Sequence, residues 1–140
     1  MLNVTMKTKV NASPQQVWDT IKDFNGLPKF IAAIADSTMQ GSGVGAVRTL
    51  TLQEGGPPIV ERLESFDEQA RTLSYSIIKS PLPLTQYLAT MEVHDLGGSQ
   101  CELVWSSTFQ AVGASDDEAK KVVEGVYTGG FEGLRKIYGD

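Results

Sequence analysis

Two oppositely charged residues, Arg48 and Glu61, lie on neighbouring strand-like segments on either side of a turn rich in glycine and proline. Pairing of the two strands around Gly55-Gly56 sets Glu61 opposite Leu50 and diagonal to Arg48, within reach of a long side chain. Alternation also places apolar residues beside both charges, namely Leu50 and Leu52 beside Arg48, and Ile59 and Leu63 beside Glu61. The carboxylate could therefore form a structural ion pair with Arg48, anchor a ligand, or transfer protons.

Two tyrosines also alternate with residues that favour one side of a strand. Tyr75 shares a side with Leu73 and Ile77, and Tyr87 shares a side with Ala89 and Met91. An inward phenol offers one hydroxyl that can orient a ligand in an apolar pocket. For Tyr87 we favour this role, whereas Tyr75 is equally well explained as a core residue.

The remaining reactive residue types exclude several kinds of site. The lone His94 shares a side with polar residues and has no acidic partner at metal-binding spacing, so we expect no zinc site and no Ser-His-Asp triad. With Cys101 as the one cysteine, neither an internal disulfide nor a thiolate metal cluster is possible. Gly41–Gly45 lacks the Lys-Ser/Thr of a phosphate loop and is predicted to be a turn. We therefore predict no metal and no cofactor.

The composition is that of a soluble globular protein. Twelve basic and seventeen acidic residues give a net charge of −5, without a basic cluster, which argues against nucleic acid and anionic membranes as partners. No apolar run approaches the roughly 20 residues that span a bilayer, and no signal peptide is evident. We expect one domain over residues 1–140, a cytoplasmic location and no stable membrane insertion; a homodimer is left open.

Hydrophobic periodicity predicts the elements that position these side chains. A first strand over 2–10 precedes two short helices, one starting at Ser13-Pro14 and reaching Phe24, the other over Pro28–Ile34. Period-two alternation then predicts six strands, over Asp36–Gly41, Ala46–Gln53, Ile59–Phe66, Thr72–Lys79, Gln86–Leu96 and Gln100–Val112. Their short connections favour antiparallel hairpins.

A long amphipathic helix is predicted over Asp117–Tyr138. Its interior carries four glycines, although each costs roughly 1 kcal/mol of helix stability relative to alanine. They are Gly125, Gly129, Gly130 and Gly133. Small residues on a helix that faces a curved sheet leave room, either for close packing or for a bound molecule.

This order of elements resembles the START/Bet v 1-like (SRPBCC) helix-grip superfamily, especially its bacterial polyketide cyclase/dehydrase-like members and the plant abscisic-acid receptors. The resemblance covers nearly the whole chain. The segments that carry it are Ser13-Pro14 with Val17-Trp18, Gly43-Val44-Gly45 leading to Arg48, Glu61-Arg62-Leu63, Leu84-Thr85-x-Tyr87, and Trp105 to Phe109. It implies an α+β fold in which a curved, seven-stranded antiparallel sheet wraps around the C-terminal helix and encloses a cavity.

The resemblance places the Leu50/Leu52 side inward, so that Glu61 becomes a carboxylate in an apolar cavity. The predicted ligand-binding residues are Arg48, Leu50, Leu52, Glu61, Leu63, Tyr75, Tyr87, Ala89, Met91, Trp105, Phe109, Val122, Val126 and Gly130. Gly55–Pro58 occupies the place of the receptors' gate loop, or is an ordinary hairpin connection. Leu82-Pro83-Leu84 occupies the place of the latch but lacks its His-Arg pair, which disfavours hormone sensing.

Three functions fit these residues. The first is the binding of a small hydrophobic molecule, such as a lipid, an isoprenoid or a polyketide-like compound, in the cavity. The second is a cyclase/dehydratase in which Glu61 or Arg48, with Tyr75 or Tyr87, promotes enolisation and dehydration of a polyketone. The third is a ligand-gated interaction module, in which Leu82 and Leu84 form an apolar surface for a protein partner.

Overall fold

Seven antiparallel strands form one sheet in the order β1-β7-β6-β5-β4-β3-β2. The structure is a computed structural model that describes residues 1–139. Its elements are β1 (Leu2–Val10), α1 (Pro14–Ile21), a 3-10 turn (Leu27–Lys29), β2 (Ile34–Gln40), β3 (Val47–Leu52), β4 (Ile59–Asp67), β5 (Thr72–Lys79), β6 (Leu84–Gly97), β7 (Gln100–Ala111) and α2 (Asp116–Tyr138). The expected α+β helix-grip fold, with a curved sheet and a long C-terminal helix, is confirmed.

The segment after α1 differs from the sequence prediction. The expected second helix over Pro28–Ile34 is a single 3-10 turn, and Ile34 already begins β2. The first helix also ends at Ile21, three residues before Phe24. The turn is short because Phe30 and Ile31 bond back to Leu27, after which the chain extends toward the sheet.

Helix α1 begins with the predicted capping box. The Ser13 hydroxyl accepts a hydrogen bond from the Gln16 amide, and the Gln16 side chain accepts one from the Ser13 amide. The helix buries Val17, Trp18 and Ile21 against the sheet. The Trp18 indole lies 5.3 Å from the Phe66 ring and donates a hydrogen bond to the Glu68 carboxylate.

Helix α2 packs on β1 and β7, and specific interactions stabilise both of its ends. Ser115 caps its first turn, which is acidic, and its last turn is basic, so both ends complement the helix dipole. Near the C-terminus, the Tyr138 hydroxyl donates to the Gln16 carbonyl at 3.0 Å and contacts the Thr20 hydroxyl at 2.6 Å. Of the helices in residues 1–139, none is long and apolar enough to cross a membrane.

The four glycines of α2 fall into two pairs with different surroundings. A methyl group on Gly133 would lie 1.6 Å from the Phe30 carbonyl oxygen, and one on Gly130 would lie 2.7 Å from the Trp105 ring. At Gly125 and Gly129, by contrast, a methyl group would meet no atom within 4 Å. Close packing therefore explains Gly130 and Gly133, whereas Gly125 and Gly129 face open space.

We expect Gly133→Ala to destabilise the protein by roughly 2–3 kcal/mol, because the added methyl group must push the helix away from the Phe30 backbone. Gly125→Ala is the matched control. There the methyl group meets nothing, and alanine should stabilise the helix by about 1 kcal/mol. Urea unfolding of both variants measures the difference, and equal stabilities would contradict this account of the contact.

Candidate functional site

A cavity of about 590 Å³ lies between the sheet, α2 and the segment 27–34. Apolar side chains form most of its wall. From the sheet these are Leu50, Leu52, Ile59, Ile77, Leu84 and Trp105, from the segment after α1 they are Leu27, Phe30, Ile31 and Ile34, and from α2 they are Val122, Val123, Val126 and Ile137. Such a volume and lining are typical of a site for one small apolar molecule.

The cavity has two ends of different chemistry. Its mouth consists of the exposed residues of the wall, which are Lys29, Ala32, Ala33, Glu54, Gly125, Val126, Glu132, Lys136 and Ile137. Its floor consists of the buried side chains that carry a polar atom, which are Glu61, Tyr75, Tyr87 and Trp105. Glu61 is the one charged residue of the floor, and the other charges on the described wall lie at the mouth.

Glu61 forms a buried ion pair with Arg48. The Arg48 Nε and Nη2 atoms donate to Glu61 Oε1 at 2.8 and 2.6 Å, and Nη1 donates to the Phe24 carbonyl at 2.8 Å. The Phe24 and Tyr75 rings lie 3.8 and 4.9 Å from the guanidinium carbon. Arg48 is 3% exposed and Glu61 6%, so both charges are out of water.

The pairing of β3 with β4 differs from the sequence prediction. Arg48 lies directly opposite Glu61, and Leu50 lies opposite Ile59, so the predicted pairing of Glu61 with Leu50 was wrong. The turn closes earlier than expected, because the Gly55 amide bonds to the Leu52 carbonyl at 3.0 Å. Moving the centre of a hairpin by one residue moves each partner by two.

Burial raises the pKa of Glu61 above its ordinary value, and the Arg48 guanidinium opposes that shift. Both guanidinium hydrogen bonds end on Oε1, and no residue of 1–139 donates a hydrogen bond to Oε2. Because Glu61 lies on the cavity wall, Oε2 is the oxygen available to a bound molecule.

A row of aromatic side chains continues the floor. The Trp105 indole N–H donates to the Tyr75 hydroxyl at 3.1 Å, which lies 3.3 Å from the Tyr87 hydroxyl. The Tyr87 hydroxyl in turn lies 2.6 Å from that of Tyr127, a residue of α2 whose ring stacks on Trp105 at 4.2 Å. Three phenols that share two hydrogen bonds leave one phenolic proton for another partner.

These phenols are neutral. Burial raises the pKa of Tyr127 to about 12, and it holds those of Tyr75 and Tyr87 well above their ordinary value. The floor therefore presents one carboxyl group and neutral hydroxyls.

The residues predicted to bind a ligand fall into two groups. Those on the cavity wall are Leu50, Leu52, Glu61, Tyr75, Tyr87, Trp105, Val122 and Val126. The others lie off the wall in the buried interior, namely Arg48 behind Glu61, Gly130 against Trp105, and Leu63, Ala89, Met91 and Phe109 in the core. These last four point inward as expected, but they lie further along strands whose inner face is covered by packed side chains.

Several wall residues were not predicted. The whole segment 27–34 lines the cavity, as do Ile77, Leu82 and Leu84. The sequence pattern over Pro28–Ile34 predicts an ordinary helix, so nothing in the apolar residues of this segment points to a site. Tyr127 lies within the predicted C-terminal helix, but its bond to Tyr87 depends on a contact between segments that are distant in the sequence.

The two loops expected to control access lie differently. Gly55–Pro58 is exposed and off the wall, although its neighbours Glu54 and Ile59 are part of the wall. In the second loop, the partly buried Leu82 and the buried Leu84 contribute to the wall, so they do not form the exposed apolar surface expected of an interaction module. His94 is exposed, and within residues 1–139 no group of three His, Cys, Asp or Glu side chains is arranged to hold a metal ion.

Known proteins share this fold along the entire chain. Protein XoxI from Bacillus cereus is 36% identical, with a TM-score of 0.93 over 100% of this chain and 97% of that one. An uncharacterized protein from Bacillus thuringiensis is also 36% identical, with a TM-score of 0.92 over 99% of this chain and 100% of that one. The Zhui aromatase/cyclase from a Streptomyces species, at 18% identity, has the same fold with a TM-score of 0.78 over 97% and 95% of the two chains.

A family model described as polyketide cyclase/dehydrase and lipid transport matches residues 1–139. This match agrees with the resemblance that the sequence motifs carry. The chain belongs to the polyketide cyclase/dehydrase and lipid transport family.

Proposed function

We propose that this protein binds one small, largely apolar molecule in the cavity between the sheet and α2. The observation that carries the proposal is a cavity of about 590 Å³ whose wall is mostly apolar and whose buried floor carries one carboxyl group and two phenols. The bound molecule is a lipid, an isoprenoid or a compact polyketide-like compound. The family description, which includes lipid transport, supports this class of ligand.

The apolar wall supplies affinity and the floor supplies orientation. Covering apolar ligand surface contributes about 25 cal/mol for each Å² removed from water. A polar atom at one end of the ligand can form hydrogen bonds with the hydroxyls of Tyr75 and Tyr87 and with Oε2 of Glu61. Access is controlled by the loop over 55–58, which lies between the wall residues Glu54 and Ile59, and by the loop over 80–84, which contributes Leu82 and Leu84 to the wall.

Native mass spectrometry of the gently purified protein, followed by organic extraction, tests the proposal directly. We expect a stoichiometric small molecule that leaves on denaturation. An apo mass, together with no uptake of uncharged lipids, isoprenoids or aromatic polyketides, would contradict it.

Glu61 favours a second function, catalysis of cyclisation or dehydration. A carboxyl group whose pKa burial raises can protonate a carbonyl oxygen and, once ionised, remove a proton from a neighbouring carbon. The mass of the bound molecule separates carriage from dehydration, and its absorbance spectrum separates carriage from cyclisation, which leaves the mass unchanged. A carrier returns its ligand unchanged, whereas a dehydratase releases a product lighter by one water.

We expect Gly129→Leu to abolish binding of the uncharged dye Nile red, because Gly129 lies on the cavity wall with open space beyond its Cα. Thr128→Leu is the matched control on the exposed side of the same helix, and it should bind the dye normally. Fluorescence titration measures both. Equal binding by the two variants would show that the dye sits elsewhere.

We expect the wild type to lose stability relative to Arg48→Met/Glu61→Leu as the pH rises above about 4.5, the ordinary pKa of a glutamate. Because the pKa of Glu61 is raised by folding, the folded protein holds a proton that the unfolded chain has already released. The loss should be complete once the pH exceeds the pKa of Glu61 in the folded protein, and it should amount to about 1.4 kcal/mol for each unit by which folding raises that pKa.

Urea unfolding of both proteins across this pH range makes the comparison. Since surface carboxylates contribute equally to the two proteins, the difference isolates the buried pair. A wild type that gains stability relative to the variant as the pH rises would show that Arg48 outweighs burial.

A further inference from the structure

The floor of the cavity contains no available positive charge. All the hydrogen bonds that Arg48 is seen to donate go to Glu61 Oε1 and to the Phe24 carbonyl, and its guanidinium lies against the Phe24 and Tyr75 rings. Arg48 is also off the cavity wall. A bound molecule at the floor therefore meets the carboxyl group of the ion pair and not its cation.

The hydrogen-bonding capacity that remains at the floor is specific. Oε2 of Glu61 accepts when the carboxyl is ionised, and can also donate when it is neutral. The indole N–H of Trp105 is already used by Tyr75, and the phenols of Tyr75, Tyr87 and Tyr127 have one proton to spare between them. A hydroxyl group satisfies Oε2 in either state, whereas a carboxylate beside the ionised Glu61 would be a second buried anion, with Arg48 as the single cation for both.

The mouth differs from the floor in having cations, since Lys29 and Lys136 lie on its wall together with Glu54 and Glu132. A fatty acid could bind tail first and leave its carboxylate beside these lysines in water. It would then leave Oε2 at the floor without a partner. Such a molecule uses the apolar wall but not the polar floor.

We propose that the natural ligand carries an uncharged hydroxyl group at its buried end, which donates to Oε2 of Glu61, and that the floor selects against carboxylates. This inference rests on the proposed function, because it requires a ligand in the cavity. It narrows the ligand from any small apolar molecule to an alcohol or phenol with an apolar body.

The test compares 1-decanol with decanoate, which share one chain and differ in the head group. Both are titrated at neutral pH against bound Nile red, in the wild type and in Lys29→Gln/Lys136→Gln. That variant removes the cations of the mouth and leaves the floor intact, and both lysines are exposed. In this variant we expect decanol to bind at least about tenfold more tightly than decanoate, because only the alcohol makes a hydrogen bond to a charged group.

A second variant tests whether the preference for decanol depends on Glu61 at the floor. Adding Arg48→Met/Glu61→Leu replaces the ion pair by apolar side chains of similar size, a change that buried pairs often tolerate. We expect decanol to lose about tenfold in affinity and decanoate to be unchanged. If the variant does not fold, the comparison of the two probes on the intact floor still tests the selection against carboxylates.

The outcomes separate the two proposals. If decanoate binds the mouth variant as tightly as decanol, or if the preference survives loss of Glu61, the inference is overturned and cavity binding stands. If neither probe nor the dye binds the wild type, the proposed function itself fails.

Discussion

The closed end of the cavity depends on one constraint, which is that the charged guanidinium group of Arg48 is buried away from water. Arginine stays charged at any ordinary pH, so a buried one must be paired. It is held by Glu61 of β4 and by the carbonyl of Phe24, just beyond α1, and so it joins two strands to the segment that leads into the cavity wall. Loss of one partner would cost roughly 3–5 kcal/mol, because the other charge would remain buried alone.

The geometry of this pair also determines what the cavity offers. Because two guanidinium nitrogens bond to the same carboxylate oxygen, the second oxygen is left for the cavity. Tyr75 contacts both the ion pair and the row of hydroxyl groups. Its ring lies against the guanidinium, while its hydroxyl belongs to the row that runs through Tyr87 to Tyr127. The row in turn connects β5 and β6 to α2, so that the polar floor and the docking of the helix share the same residues.

Local patterns were sufficient to predict the elements and their faces, because the periods of two and 3.6 and the capping residues act over short distances. The strand over Thr72–Lys79 was predicted to the residue, and the inward position of Glu61 followed from alternation and from the resemblance. The errors arose where the result depends on the exact geometry of a turn or on the position of another segment. The bond between Gly55 and Leu52 shifts the pairing of β3 and β4, and the apolar residues after Pro28 extend toward the sheet and do not continue a helix.

The cavity wall was the least predictable part for the same reason. Whether an inward residue such as Leu63 meets another side chain or open space depends on how far the helix stands from the sheet at that point. Two contacts of α2 set this distance, Gly130 against Trp105 and Gly133 against the Phe30 backbone. Neither contact can be read from a single strand or helix, although the glycines themselves indicated that α2 comes close to something.

The other two glycines of α2 need a different explanation. Gly125 and Gly129 contact nothing that would exclude a methyl group, and both lie on the cavity wall. Alanine at these positions would strengthen the helix by about 1 kcal/mol each, so helix stability does not account for them. Packing does not account for them either, since the space beside them is open. What remains is the width of the cavity along α2, where a larger side chain would occupy the volume that a bound molecule needs. The helix is therefore weaker than its packing requires at two of the positions where it borders the cavity, which is the pattern expected if the open space is itself functional.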